Sequence, residues 1–151
     1  MTGVQTCALP ILAAAVTEST VTDEIRAILD AVGEFVEVPE SKMDIATAVN
    51  GSGPAFVFYL INAMAEAGVD GGLSPEESRT LAAQTFKGAA ETILQSERPI
   101  EDLIDAVCSP KGTTIEGMDV LWDSDVEAEV GEAVTAAEER SKELAQDAAD
   151  E

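Results

Sequence analysis

The chain contains no histidine and, in 151 residues, only two cysteines, Cys7 and Cys108. Without histidine, neither a serine–histidine nor a cysteine–histidine nucleophile can be assembled. The cysteines stand in no CxxC or comparable ligand spacing, which argues against a metal site. Cys108 reads as a small apolar packing residue rather than a nucleophile. Bases number eight and form no patch able to neutralise phosphates, so no nucleic-acid partner is expected. The apolar stretch from Ala8 to Val16 is too short to cross a bilayer. Nor does it look like a signal peptide, because no base precedes Arg26. The expectation is a soluble, cytoplasmic protein without a membrane partner.

What the chain does have is aliphatic residues and acids. Hydrophobic residues make up 46% and aromatics only 4%, a balance that suits closely packed helices in one domain-sized core. Thirty acidic residues bring the formal net charge to −22. Spread over helix faces, they read as the surface of a protein from a high-salt cytoplasm, with an ordinary acidic protein as the alternative.

Residues 1–11 fit no periodic pattern and connect poorly to the rest of the chain. Ile25, Ile28, Leu29 and Val32 then recur at helical spacing. The alternating run Glu34 to Val38, ended by Pro39, reads as one short strand without an evident partner, like the edge of a larger sheet. From Met43 the pattern is helical throughout. A helix beginning near Asp44 should be interrupted or bent by the Gly51–Gly53 turn, restart with Pro54 in its first turn, and stop at Gly68. Ser74-Pro75-Glu76-Glu77 is a helix start with a capping box. The helix it opens should run to about Ser96 and bury Leu81, Thr85, Gly88, Ala89, Thr92 and Ile93. A short acidic helix comes next, from Pro99 to Val107, then another from Ile115 to Trp122. Ser124 with Glu127 reads as a second capping box, opening a final helix to roughly Leu144 with a frayed end. That helix keeps Val126, Val130, Ala133, Val134 and Ala137 on one face.

Two turns concentrate the chemistry. Ser109-Pro110-Lys111-Gly112-Thr113-Thr114 places a proline, a glycine and two hydroxyls just before a helix start. Backbone N–H groups there lack intrahelical partners and carry the positive end of the helix dipole, so the turn suits a carboxylate. Asn50-Gly51-Ser52-Gly53-Pro54 is a second glycine-rich turn opening a helix, and the two suggest a shared ligand pocket.

The segment from Ala46 to Phe58 resembles the motif that begins the C-terminal domain of pyrroline-5-carboxylate reductases. The loop Ser109 to Ile115, with Glu116-Gly117-Met118 after it and Ala136 to Ser141 late in the chain, is similar to the same family in order and spacing. The resemblance covers roughly residues 12–146. It implies a Rossmann domain followed by an all-helical dimerisation domain, and reduction of a cyclic imine to L-proline with NADPH or NADH. The family's GxGxxG fingerprint is absent here. The expected fold is therefore mainly α: residues 12–40 as the helix–strand remnant of an α/β Rossmann domain, and residues 41–151 as the helical dimerisation and substrate-loop domain. As a fragment lacking most of the cofactor fold, the chain should form a homodimer or larger homo-oligomer and reduce nothing alone.

The resemblance also implies site roles. Gly112, Thr113 and Thr114 would hold the substrate carboxylate, and the Thr114 hydroxyl would bond the ring nitrogen or a nearby water as a route for the proton. Glu97 matches a position that approaches the substrate from the neighbouring subunit, and Ser52 with Gly53 matches the turn near the nicotinamide. Plainer roles stand beside these: Thr114 as a helix cap, Glu97 as an ordinary acid, Ser52 as a cap for the Pro54 helix. Lys111 stands where the family commonly has glycine, while Asn50 and Phe56 replace serine and tyrosine. Two other readings stay open: a non-catalytic helical association module, and a related dehydrogenase acting on another small acid.

The charge balance predicts that the melting temperature rises as KCl is taken from dilute to molar concentration, because screening relieves self-repulsion. A thermal melt followed by circular dichroism measures this, and no gain with salt refutes the high-salt reading.

Overall fold

In the computed structural model, described over residues 14–16, 22–32 and 35–149, nearly every element is helical. In chain order these are β1 (Ala14–Val16), α1 (Asp23–Val32), β2 (Phe35–Glu37), a 3-10 turn (Glu40–Lys42), α2 (Met43–Ala46) and a π-helical turn (Thr47–Ser52). They continue with α3 (Gly53–Asp70), α4 (Pro75–Gln95), α5 (Ile100–Val107), α6 (Thr113–Trp122) and α7 (Val126–Ala149). Residues 1–11, whose sequence fits no periodic pattern, lie outside the described residues, and Cys7 with them. The chain forms two compact units: Met1–Pro54 with Glu132–Glu151, and Ala55–Gly131.

In the first unit β2 has a partner after all. β1 pairs with it in parallel, Ala14 opposite Phe35 and Val16 opposite Glu37, so that β1, α1 and β2 form a βαβ crossover. The strand looked orphaned because its partner is three residues long within an aliphatic run that carries no alternating pattern. Thr22 opens α1, its hydroxyl accepting the Ile25 N–H at 3.4 Å, and Arg26 on α1 pairs with Glu37 on β2. β1 runs beside α2 and the π-helical turn. The far half of α7 reaches α2 through the Ser141 hydroxyl, which donates to Asp44 Oδ1 at 2.7 Å. On the same face of α7, Lys142 and Glu138 pair at 2.6 Å, and that bond holds the lysine above its ordinary pKa. Ala48 is completely buried.

The second unit is organised by the joint between α3 and α4. Gly68 does not stop α3; the helix runs to Asp70 and closes at Gly72, whose φ is 98°. Gly72 N–H donates to Val69 O and Leu73 N–H to Gly68 O, the paired bonds of a Schellman motif. Gly68 serves instead for close approach: a Cβ there would lie 2.1 Å from Ser78 Oγ. Ser78 is buried, and its hydroxyl donates to Ala65 O at 2.6 Å, sealing α4 onto α3. Ser74 caps α4 in a full capping box, with Pro75 in the first turn. Glu77 closes that box, and the hydrogen bonds from Ser74 hold its carboxyl below the ordinary value.

Two helix expectations need correction. The face Leu81, Thr85, Gly88, Ala89, Thr92 and Ile93 is exposed, with Leu81 at 58%, while α4 buries Ser78 and Ala82. Among the described residues, no other element covers that stripe. Ser124 forms no capping box with Glu127: α7 begins one residue later, and the Ser124 hydroxyl instead donates to Leu121 O at 2.7 Å and accepts the Val126 N–H.

Gly68→Ala should therefore destabilise the chain by about 1–3 kcal/mol through overpacking against Ser78. Chemical denaturation of the two proteins measures the difference, and Gly68→Ala with Ser78→Ala should recover part of the loss.

Candidate functional site

The loop before α6 is built by a tight turn. Gly112 N–H donates to Ser109 O at 2.9 Å, closing a four-residue turn with Pro110 second and Lys111 third. Lys111 has φ 64°, the positive value that the third position of a type II turn demands and that glycine usually supplies. It is the one non-glycine residue with positive φ among the described residues. Gly112 has its own constraint, because a Cβ there would sit 2.4 Å from Ser109 Oγ and 3.0 Å from Ser109 O.

This turn delivers the chain into α6 with Gly112 in the capping position, in extended conformation and with no side-chain cap. Thr113, Thr114 and Ile115 supply the first N–H groups of the helix, which have no carbonyl one turn back. The Gly112 N–H is already engaged by Ser109, so the free-facing donors of this loop are those of Thr113 and Thr114. Both threonines are exposed. Lys111 adds a cation beside them, and Glu116, also exposed and in the first turn of α6, opposes it. Gly112, Thr113 and Thr114 thus come together at one helix start, with the Gly112 N–H spent inside the turn.

Glu97 lies in the second unit too, in the Ser96–Pro99 link between α4 and α5, and is exposed. The link is shaped by the Ser96 hydroxyl accepting Arg98 N–H at 3.1 Å and by Arg98 Nη2 donating to Asp102 O at 2.7 Å.

Ser52 and Gly53 belong to the first unit, both half-buried. Of the interruption or bend expected here, no interruption occurs: the chain stays helical from Met43 and widens into a π-helical turn that ends at Ser52. Ser52 therefore does not cap the Pro54 helix, although Pro54 does fall in the first turn of α3. Apart from its chain neighbours and its own helix backbone, no described residue comes within 4 Å of the position a Cβ on Gly53 would take, so the backbone can be approached closely there. Asn50 and Phe56 are half-buried in the same stretch. The π turn, the positive φ at Lys111 and the Ser141–Asp44 bond are what sequence spacing missed; Pro54, four residues after Asn50, was the available signal for the first.

Some features lie elsewhere. A cavity of about 330 Å³ at the α3–α4 joint is lined by residues including Asn62, Glu66, Val69 and Arg79, and by none of the expected site residues. Cys108 is half-buried at the end of α5, and the described residues hold no cluster of potential metal ligands. No helix among them is long and apolar enough to cross a membrane.

The described residues thus hold a parallel βαβ edge in the first unit and, in the second, a tight turn that opens α6. Residues 40–144 match the family described as pyrroline-5-carboxylate reductase dimerisation. The pyrroline-5-carboxylate reductase of Methanosarcina acetivorans is 48% identical over 117 residues, 78% of this chain and 43% of that protein. The one from Synechocystis is 47% identical over 119 residues, 79% of this chain and 45% of that protein. A crystal structure of Plasmodium falciparum pyrroline carboxylate reductase with NADP bound superposes with a TM-score of 0.76 at 35% identity, covering 87% of this chain and 56% of that one. The chain belongs to the pyrroline-5-carboxylate reductase dimerisation family, and it spans less than half the length of these two curated relatives.

Because Lys111 holds a backbone conformation that glycine adopts freely, Lys111→Gly should raise stability by about 1 kcal/mol. Thermal melting of the two proteins checks this, and a variant less stable than the parent would show that the lysine side chain makes a compensating contact.

Proposed function

We propose that this chain supplies the dimerisation and substrate-loop part of a pyrroline-5-carboxylate reductase, which reduces 1-pyrroline-5-carboxylate to L-proline. The observation that carries it is the Ser109–Thr114 turn, which sets the N–H groups of Thr113 and Thr114 at the start of α6 with both threonines exposed, in a family whose members carry that name. Residues 12–40 would be the end of a dinucleotide-binding domain and residues 41–151 the helical domain.

In this reading Thr113 and Thr114 N–H groups hold the substrate carboxylate, with Gly112 keeping the turn tight and Lys111 adding attraction. The Thr114 hydroxyl hydrogen-bonds the ring nitrogen or an adjoining water, so that a proton reaches nitrogen as the C=N bond is reduced. NADPH or NADH, when bound, supplies the hydride that goes to the ring carbon. The open backbone at Gly53 and the half-buried Ser52 fit the nicotinamide end of that cofactor, whereas the phosphate-binding fingerprint is not in this sequence. Glu97 would approach the substrate of a neighbouring subunit.

A homodimer follows from the apolar surface. Tyr59, Leu94 and Val120 are 76%, 79% and 69% exposed on α3, α4 and α6, and no large side chain is fully buried among the described residues. A second copy offers the same aliphatic faces and removes them from water.

The 151-residue chain should run as a dimer in sedimentation and oxidise no NADPH with substrate present. In the full-length enzyme, Thr114→Ala should lower kcat/KM by about 100-fold while the dimer persists. Unchanged kinetics would favour a non-catalytic association module, and turnover by the 151-residue chain alone would refute the division of labour.

A further inference from the structure

The helix that begins at Met43 passes Pro54 without breaking, and it does so by widening. A proline has no N–H for the helical ladder, and its ring presses on the carbonyl four residues back, here that of Asn50. Asn50 lies inside the π-helical turn Thr47–Ser52. Turns of this kind are rare and recur at functional sites. Across its six residues the winding lags an α-helix by roughly one residue, or about 100° of rotation.

The lag has a consequence because the start of the turn is anchored. Ala48 is completely buried, β1 lies alongside, and Asp44 is tied to Ser141 at 2.7 Å. With that end held, Ser52 takes the direction that an α-helix would give Gly51, and Gly53 takes the one it would give Ser52.

We propose that Pro54 and the π-helical turn are a positioning device for the cofactor contact: the widened winding puts the Ser52 hydroxyl and the open Gly53 backbone where the nicotinamide end is held. Regular α winding from the same anchor would present Gly51 in place of Ser52, and the hydroxyl would turn away. Pro54 acts only through Ser52 and Gly53, so it is a positioning residue and touches no reacting atom. The inference rests on the assignment of those two residues to the cofactor under the proposed function.

The test uses the full-length enzyme, with NADPH affinity from fluorescence titration and with KM and kcat for pyrroline-5-carboxylate turnover. Pro54→Ala restores the N–H and lets the helix close. It should weaken NADPH binding roughly tenfold and raise the NADPH KM in step, with thermal stability retained or increased. Deleting Gly51 in the Pro54→Ala background removes the extra residue while returning Ser52 to its direction, and should restore NADPH affinity to within about twofold of wild type. NADPH affinity unchanged in Pro54→Ala, or not recovered by the deletion, overturns the inference. A wild-type enzyme that binds NADPH but turns over no pyrroline-5-carboxylate would instead sink the reductase reading, a result read in a separate arm.

Discussion

The structure depends on a burial problem that one copy of the chain does not solve. Its helices are rich in alanine, valine, leucine and isoleucine, yet among the described residues only Ala48, Ala82 and Ser78 are buried. Burying apolar surface is the main favourable term in folding, and helices that leave it in water are poorly supported by propensity alone. The stripe of Leu81, Thr85, Gly88, Ala89 and Thr92 on α4 makes the point. It has the spacing and the small residues of a closely packed face, and it is exposed. The family model that the chain matches is described by dimerisation, and like charges spread over a surface oppose non-specific association.

Against that open background, the rigid points are few and local. Ser78 fastens α4 to α3 through one hydroxyl and the absence of a Cβ at Gly68. Asp44 and Ser141 join residues 97 positions apart through another. The turn before α6 is fixed by a proline, a positive φ at Lys111 and a glycine with no room for a side chain. Strain of this sort persists where surroundings over-determine it, and it falls here on the loop that presents Thr113 and Thr114.

Much of this was legible from residue order. Ser74-Pro75-Glu76-Glu77 named its own capping box because all its partners lie within four residues. The Ser109–Thr114 loop could be recognised as a helix start, since proline, glycine and hydroxyl chemistry acts locally. Gly68 misled for the opposite reason: its role depends on Ser78, which only the folded joint brings near. The β1 partner of β2 was missed because three aliphatic residues carry no periodic signal. Ser124 was misread because its hydroxyl turns back to Leu121 rather than forward into α7.

Sequence by itself determined the helical class, the family, the acidic surface and the Ser109–Thr114 turn, since each follows from composition or from residues a few positions apart. Tertiary structure decided the rest: that the helix from Met43 widens at Thr47–Ser52 and runs on, that α3 passes Gly68 and closes at Gly72, that β2 has a parallel partner, and that the α4 stripe faces outward. The strand pairing and the outward α4 stripe depend on groups far apart in the chain, whereas the widened turn and the Gly72 closure depend on which of several nearby groups takes a local hydrogen bond. That competition is resolved only once the chain has folded.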